Sequence, residues 1–203
     1  FVLALGLKLA YVEERLKLPD VDHPVLDSLF HDQWARGLAF GDWTADQARL
    51  QSEPYFRAPL YPYFVGAVYR AFGPSPAALF RIQAILGALT VALMFQFCIM
   101  AFDRRTAWVA AILQVGYWPI TYHEAERLIP ALTLPLDMLF LLALALAGKT
   151  RRTRYALLAG LSAGLSAIAR PSILIAVPAG AAWLAMNVGS QWRRHTAVLL
   201  VAL

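Results

Sequence analysis

Long apolar runs constrain this chain more than any other feature of its sequence. A helix needs about 20 predominantly apolar residues to cross the hydrocarbon core of a bilayer, and the run Ala77–Phe102 exceeds that length. Across all 203 residues, 60% are hydrophobic and 15% are charged, whereas soluble domains are less apolar and more highly charged. The pattern excludes a disordered or fibrous chain and argues against a soluble globule. It predicts an all-α, multipass transmembrane helical bundle.

The predicted spans are separated by short turns. Arg170-Pro171 lies at such a turn, because proline cannot donate a helical hydrogen bond and arginine is costly at the bilayer centre. Both termini fall inside apolar runs, so we expect residues 1–203 to be the N-terminal part of a longer transmembrane domain. The predicted spans are Phe1–Tyr11 (the end of span 1), Ala77–Phe102, Trp108–Tyr122, Ala131–Gly148, Tyr155–Ala169, Ser172–Val188 and one that opens at Thr196.

Three short basic loops predict the orientation of the chain. Cytoplasmic loops carry an excess of Lys and Arg. Placing the basic loops inside therefore puts residues 12–76, His123–Pro130 and Arg170-Pro171 outside. Residues 77–203 hold the further spans together with the turns between them. The basic loops are Arg104-Arg105, then Lys149 with Arg151, Arg152 and Arg154, and then Arg193-Arg194-His195.

The predicted outer loop, residues 12–76, is acidic in its first part and aromatic in its second. Val12–Arg57 holds nine acids against five bases. Pro59–Phe72 is too short for a comfortable span, and its aromatic residues favour a helix lying in the membrane interface. The aromatic residues expected at that interface are Tyr61, Tyr63, Phe64, Tyr69 and Phe72.

Asp27 is a candidate site residue just after the first span. On a helix beginning at Asp27, His31 lies one turn further along the same face. An aspartate before an apolar-periodic stretch is typical of a helix N-cap. A carboxylate held at the membrane surface also suits a general base that accepts a proton from a hydroxyl group. The two roles are compatible, and both stay open at this stage.

Two further acids, Glu124 and Glu126, follow Tyr122 and His123 at the outer end of a predicted span. One interpretation is a solvated helix end, with Glu126 paired to a base nearby in sequence. The other is a functional site, because acids at this depth are costly unless they face water, a partner or a substrate. Asp137 lies well inside an apolar run, and we interpret it as a polar contact between helices.

Arg57 and Arg170 each invite two interpretations. A boundary arginine often extends its charge to lipid headgroups, but the planar guanidinium is also well suited to binding phosphate. The glycine-rich phosphate loop, HExxH and GxSxG are absent from the sequence. The four histidines lack metal-ligand spacing within any one element, although His123 with Glu124 could contribute to a metal site. The spacing Gly160-x-x-x-Gly164 favours close helix packing.

In order along the chain, several short motifs resemble the membrane-embedded GT-C glycosyltransferases of the protein O-mannosyltransferase and aminoarabinose-transferase type (family 39 and its bacterial relatives). Each motif is weak alone, whereas the ordered set with the predicted topology is fairly specific and covers most of the chain. The motifs are Asp27-x-x-x-His31, Ala35-Arg36, Gly41-Asp42-Trp43, Tyr55-Phe56-Arg57-Ala58-Pro59-Leu60-Tyr61-Pro62, Phe102-Asp103-Arg104-Arg105, Tyr122 to Pro130, and Ala159-Gly160-Leu161 to Arg170-Pro171.

The resemblance implies transfer of a sugar from a polyprenyl-phosphate donor to a hydroxyl acceptor, with inversion at the sugar carbon. It implies Asp27 as the base and Arg57 and Arg170 as groups that hold the donor phosphate, with Glu124 and Glu126 lining the sugar or acceptor cavity. It further implies a multipass protein of a bacterial cytoplasmic membrane whose site faces outward, where it meets membrane lipids and no nucleic acid. The remaining substrate-binding candidates are His31, Arg36, Tyr55, Tyr122 and His123.

The chain departs from its relatives at three points. Position 31 is His where many relatives have Tyr. The stretch before Pro59 lacks the Glu-Lys pair that aminoarabinose transferases carry before their Pro, which argues against a metal-bound chemistry of the aminoarabinose type. No cofactor is assigned, and a divalent metal stays open. The His-Pro-Pro form of the eukaryotic enzymes is absent too, so the acceptor stays open among lipid, glycan and protein. Two other functions remain as alternatives: a transporter or flippase of a lipid-linked substrate, and a structural membrane subunit.

Overall fold

The computed structural model describes residues 1–41, 57–187 and 192–203. Within these ranges the chain forms helices and no strands, as the apolar runs predict. The helices form two compact units, of which the first is Phe1–Ala88 with Tyr117–Leu132 and the second is Leu89–Gly116 with Thr133–Leu203. One long helix, Pro76–Ala101, contributes its first half to the first unit and its second half to the other.

In its described residues, the first unit contains five helices or parts of helices. Helix α2 (Leu26–Phe40) ends before Gly41, and helix α3 (Leu60–Phe72) ends before Gly73. Both glycines have a positive φ, of 72° and 77°, a conformation that is unfavourable for residues with a side chain. Helix α4 begins after Ser75, whose Oγ accepts a hydrogen bond from the Ala78 amide at 3.3 Å. The elements are α1 (Val2–Arg15), a 3₁₀ turn (Pro19–Val21), α2 (Leu26–Phe40), α3 (Leu60–Phe72), the first half of α4 (Pro76–Ala101) and α6 (Trp118–Glu124).

Helices α2 and α3 pack against each other in the first unit. Gly66 permits the close approach, since a Cβ there would lie 3.3 Å from the Ala35 carbonyl oxygen. The helix expected over Pro59–Phe72 exists, but the prediction that Tyr61 and Tyr69 lie at an interface is wrong. Both side chains are completely buried, because their hydroxyls find polar partners inside the unit. Tyr63 and Phe72 are exposed.

The second unit is built around its own apolar core, which includes Phe140, Leu144 and Leu184. Helix α5 begins after Asp103, whose Oδ1 accepts a hydrogen bond from the Thr106 amide at 2.8 Å. The elements of this unit are the second half of α4, α5 (Arg104–Gly116), α7 (Pro130–Thr150), α8 (Thr153–Ala169), a 3₁₀ turn (Pro171–Ile175), α9 (Ala176–Asn187) and α10 (Trp192–Val201).

Two helices in the described ranges, α4 and α7, are long and apolar enough to cross a membrane. The single span expected over Trp108–Tyr122 is wrong: α5 ends at Gly116 and α6 begins at Trp118. Pro119, in the first turn of α6, has no amide hydrogen for a continuous helix. Ser172–Val188 also differs from expectation, because it opens as a 3₁₀ turn before α9. The helix end expected at Arg170-Pro171 is confirmed.

Two predicted helix contacts are present in the second unit. Ser166 Oγ donates a hydrogen bond to Asp137 Oδ1 at 2.5 Å, so Asp137 makes the polar contact between helices that we expected. Gly160 and Gly164 lie directly against the backbone of the C-terminal segment, at Leu199 and Leu203. The small residues therefore allow the close packing of α8 that their spacing predicts.

Candidate functional site

Asp27 lies in the first turn of α2 and does not cap it. The helix begins at Leu26, its N-cap is Val25, and no side chain makes a capping hydrogen bond there. The cap interpretation is therefore wrong, because Asp27 lies two positions after the N-cap residue and its carboxylate is engaged elsewhere. Asp27 Oδ1 accepts a hydrogen bond from Arg57 Nη1 at 2.5 Å. Leu26 carries an uncommon positive φ of 52°, so the backbone is strained directly before Asp27.

The Asp27–Arg57 pair is open to solvent, with 61% and 43% of the two side chains exposed. The Arg57 guanidinium also lies over the Phe30 ring, 4.5 Å from its centroid, a distance at which a cation is attracted to an aromatic face. The hydrogen bond from Arg57 lowers the pKa of the Asp27 carboxyl below its ordinary value. Asp27 is therefore ionised at neutral pH, with a cation beside it.

His31 lies one turn after Asp27, where the sequence placed it, but its side chain is buried. The carbonyl oxygen of Arg127 is 2.8 Å from His31 Nδ1 and accepts its hydrogen bond. Burial lowers the pKa of the His31 imidazole. The ring is therefore neutral at pH 7, with its proton on Nδ1, and it packs edge-on against Tyr61 at 5.0 Å between ring centroids.

Arg36 joins a polar network centred on Asp32, a residue that the sequence analysis did not select. Arg36 Nε donates to Asp32 Oδ2 at 2.7 Å. The other oxygen, Oδ1, accepts from the Tyr69 hydroxyl at 2.5 Å and lies 2.9 Å from Arg127 Nε. Asp32 and Arg127 are both buried. The network therefore ties the helix that carries Asp27 to α3 and to the segment after α6.

A cleft of about 310 Å³ lies beside Asp27 in the first unit. Asp27, Tyr122 and Glu126 all border it, so the structure brings three of the predicted site residues to one cavity. The residues that complete its lining are Arg15, Asp20, His23, Pro24, Val25, Leu26, Ser28 and Leu128.

Glu126 is buried and paired with a base far away in the sequence. Arg15 Nε donates to Glu126 Oε1 at 3.0 Å, and Arg15 Nη1 and Nη2 donate to the two oxygens of Asp20 at 2.8 and 3.0 Å. The prediction of a solvated helix end with a local partner is therefore wrong, because α6 is followed by a segment that turns into the unit instead of into water. One buried guanidinium holds two acids at the cleft.

Glu124 lies outside the lining of this cleft. It is buried and forms an ion pair with Lys8 of α1. Gly87 makes room for it, since a Cβ at that position would overlap the Glu124 carboxylate. His123, half-buried, packs against the ring of Tyr122 at 5.4 Å between centroids, and its Nδ1 has no hydrogen-bond partner within the described part of the chain.

Two predicted site residues do not belong to this group. Tyr55 lies outside the described residues. Arg170 belongs to the second unit, where it is exposed at the end of α8. No group of three His, Cys, Asp or Glu side chains among the residues described is placed to hold a metal ion.

Sequence reasoning missed four residues that organise the site: Lys8, Arg15, Asp32 and Arg127. A signal for the first two was present, since Lys8 and Arg15 are cations in or beside the apolar run that ends span 1. A buried cation needs an acidic partner, and Glu124 and Glu126 were acids at an unfavourable depth for which the sequence showed no buried base. The pairing itself required the folded chain.

The arrangement can bind an anion and accept a proton at neighbouring atoms. Asp27 supplies an exposed, ionised carboxylate, and Arg57 supplies an exposed guanidinium in contact with it. The adjacent cleft offers an acid and a partly exposed aromatic ring, Glu126 and Tyr122, which are the groups that commonly bind sugar hydroxyls and sugar faces.

Comparison with known proteins gives a family match. The family model described as dolichyl-phosphate-mannose-protein mannosyltransferase matches residues 56–203. The matched range includes Arg57, Tyr122, Glu126 and Arg170, whereas Asp27 precedes it. No curated protein and no solved structure matches the chain.

Proposed function

The chain belongs to the dolichyl-phosphate-mannose-protein mannosyltransferase family, and from this membership and the Asp27–Arg57 pair we propose how it acts. Members of this family are glycosyltransferases that use a lipid-linked sugar donor. In the proposed reaction the donor is a sugar on a polyprenyl phosphate, and the acceptor is a hydroxyl group of a lipid, glycan or protein. The reaction takes place at the outer face of a bacterial cytoplasmic membrane.

Asp27 is the proposed general base. The acceptor hydroxyl must lose a proton as its oxygen attacks the sugar carbon, and an ionised carboxylate within hydrogen-bond reach can take that proton. Arg57 keeps Asp27 ionised, and the exposure of the pair leaves room for an acceptor to approach. The attack displaces the lipid phosphate from the opposite side, so the sugar carbon is inverted.

Arg57 is the proposed partner of the donor phosphate. Negative charge develops on the phosphate as it leaves, and a guanidinium fixed in advance stabilises that charge in the transition state. The contacts with Phe30 and Asp27 hold Arg57 in position. Arg170 is a second candidate for the phosphate. The proposed sugar- or acceptor-binding residues are His31, Arg36, Tyr55, Tyr122, His123, Glu124 and Glu126.

The observation that carries this proposal is the exposed Asp27–Arg57 pair beside the cleft that contains Glu126. An ion pair that served only stability would gain little from so exposed a position, because surface pairs contribute about 0–1 kcal/mol. The pair supplies the two groups that inverting transfer from a phosphate requires: a base for the attacking hydroxyl and a cation for the phosphate that leaves from the opposite face of the sugar carbon. The strained backbone at Leu26 is also typical of functional sites.

Replacing Asp27 by Asn in the full-length protein tests the proposal. Membranes containing the wild type or the variant would be given a panel of radiolabelled polyprenyl-phosphate sugars, and release of the sugar would be measured together with donor binding. We expect Asp27→Asn to bind donor and to lose about 10²–10⁴-fold in turnover, the usual contribution of a general base. The matched control is Asp22→Asn, which removes an exposed acid from the same loop.

Two results would contradict the proposal. Equal turnover by the wild type and Asp27→Asn would mean that the base is another residue. Movement of the lipid-linked sugar between leaflets, with no transfer from any donor in the panel, would mean that the protein is a transporter and not a glycosyltransferase.

A further inference from the structure

The second unit contains an apolar groove that the proposed reaction does not use. It has a volume of about 520 Å³ and lies between the end of α4, the last turns of α7, and α9. Among the described residues that line it, Lys149 is the only charged one. Two glycines shape the floor: a Cβ at Gly180 would come within 2.8 Å of Leu144, and one at Gly148 would overlap the ring of Trp183. Its larger apolar walls come from Phe97, Met100, Phe140, Leu141, Leu144 and Trp183.

A second groove of about 520 Å³ lies between α8 and α10 in the same unit. Its lining is apolar, as at Leu157 and Val198, and Arg154 is the one charged residue that the described part of the chain contributes to it. Lys149 is in the last turn of α7 and Arg154 is in the first turn of α8. The charged ends of both grooves therefore lie at the same end of the α7–α8 hairpin, next to the turn that joins the two helices.

That turn is strongly cationic and open to solvent. Lys149, Arg151, Arg152 and Arg154 are all exposed, and no acid lies between residues 138 and 203 of the chain. Arg151 adopts a positive φ of 55°, a conformation that non-glycine residues seldom take. A cationic turn flanked by two apolar grooves is complementary to one kind of molecule: an anionic head with apolar chains attached.

We propose that the 149–154 turn and its two flanking grooves bind an anionic phospholipid of the bilayer. The phosphate contacts Lys149 and the arginines of the turn, and the acyl chains lie along the grooves. Basic residues at a membrane surface attract anionic lipids by about 1 kcal/mol each. By the orientation that the basic loops predict, this lipid belongs to the cytoplasmic leaflet, so the site is separate from the donor phosphate at Arg57. The proposal does not depend on the glycosyltransferase function.

Trp183 provides a direct measurement, because its side chain lines the first groove. The full-length protein would be reconstituted in vesicles that contain either phosphatidylglycerol or phosphatidylcholine with brominated acyl chains, and quenching of its fluorescence would be recorded. Subtracting the signal of Trp183→Phe isolates this residue from the other tryptophans. We expect brominated phosphatidylglycerol to quench Trp183 at lower mole fraction than brominated phosphatidylcholine.

Three variants test the two parts of the site. Lys149→Gln should lower the apparent affinity for phosphatidylglycerol about fivefold, the scale of one basic residue at an anionic surface. Arg105→Gln, which removes a cation from another basic loop, is the matched control and should leave the affinity unchanged. Ala179→Phe, which fills the first groove, should reduce quenching by both lipids.

The proposal is overturned if the two brominated lipids quench the wild type equally, or if Lys149→Gln retains the full preference. It is overturned also if Arg105→Gln loses as much affinity as Lys149→Gln, since the attraction would then belong to the whole surface. Quenching that survives Ala179→Phe would place the lipid elsewhere. Displacement of phosphatidylglycerol by an equal mole fraction of polyprenyl phosphate would mean that the site takes a different lipid.

Discussion

Asp32 and Arg127 form a buried ion pair in which Arg127 Nε lies 2.9 Å from Asp32 Oδ1, with 7% and 2% of their side chains exposed. Arg127 also donates to the backbone oxygen of Val21 at 3.0 Å and to the Tyr69 hydroxyl at 3.1 Å. The pair therefore connects the helix that carries Asp27 to three other parts of the first unit. The position of Asp27, the proposed base, therefore depends on the buried ion pair that Asp32, further along the same helix, forms with Arg127.

Removing Arg127 should destabilise the first unit far more than removing Arg36, although both bind Asp32. Arg127→Met leaves a buried carboxylate without its buried cation, which costs about 3–5 kcal/mol. Arg36 is partly exposed, so Arg36→Met should cost about 1 kcal/mol or less. Unfolding in mixed micelles with increasing dodecyl sulfate would measure both. Equal losses would mean that the buried pair is not the anchor of α2.

The stability of the first unit should fall as the pH drops below about 6.5, the ordinary pKa of His. Burial lowers the pKa of His31 in the folded state, so the unfolded chain takes up a proton first. Above pH 6.5 His31 is neutral in both the folded and the unfolded chain, so it contributes no pH dependence. Below pH 6.5 only the unfolded chain is protonated, and the free energy of unfolding falls until the pH reaches the lower pKa of the folded state. His31→Gln should flatten this part of the profile relative to His23→Gln, an exposed control.

The acid limit of activity should move when Arg57 is replaced. Arg57 lowers the pKa of Asp27 below its ordinary value of 3.8, so a reaction that needs the ionised base continues to a lower pH in the wild type. Arg57→Gln should raise the pKa of Asp27, and the acid limb of the pH–rate profile should shift to higher pH. Arg57→Lys keeps the charge and should shift the limb less. An unchanged limb in Arg57→Gln would argue against Asp27 as the base.

Gly87→Ala should destabilise the protein, because the added methyl group overlaps the carboxylate of Glu124 where it meets Lys8. Overfilling a packed interior costs about 1–3 kcal/mol. The control is Gly6→Ala in α1, where a Cβ has open space. There alanine should stabilise the helix by about 1 kcal/mol or less. A neutral Gly87→Ala would show that Glu124 can move without loss.

In the second unit, Ser166→Ala should cost about 0.6–2 kcal/mol, the range for hydrogen bonds between helices in membranes. The Ser166 hydroxyl is the partner of Asp137 on the neighbouring helix. Ser162→Ala is the matched control, because the Ser162 hydroxyl donates to the Ala159 carbonyl of its own helix, at 3.0 Å. The same micelle titration would measure both variants. A larger loss for Ser162→Ala would contradict the assignment.

Much of the helical organisation could be predicted from the apolar runs, and the contact of Asp137 was expected because a carboxylate in such a run needs a partner. The helix break before Trp118 could also have been predicted, since Pro119 lies inside the apolar run Trp108–Tyr122. The burial of Tyr61 and Tyr69 could have been inferred too. With Val65 they repeat every four residues and form one helix face, a pattern typical of core packing and not of an interfacial belt.

The pairing of charges could not be predicted in the same way. A sequence shows that Lys8, Arg15, Glu124 and Glu126 each need a partner, but their spacing carries no information on which acid meets which base. Contacts across more than a hundred residues are fixed by how the helices pack. For the same reason, Asp27 and Arg57 were each singled out, while their contact with each other was not foreseen.

The pairing of Lys8 with Glu124 also sets a minimum delay between the synthesis of α1 and the formation of its ion pairs. The two residues are 116 positions apart, and chains grow at about 5–20 residues per second. Lys8 and Arg15 must therefore wait roughly 6–23 s after their own synthesis before their partners exist. Throughout that interval the two cations of α1 lack the acids that they pair with in the folded unit. Glu124 and Glu126 follow α4 and α5 in the chain, so the ion pairs of α1 can form only after both of these helices have been made.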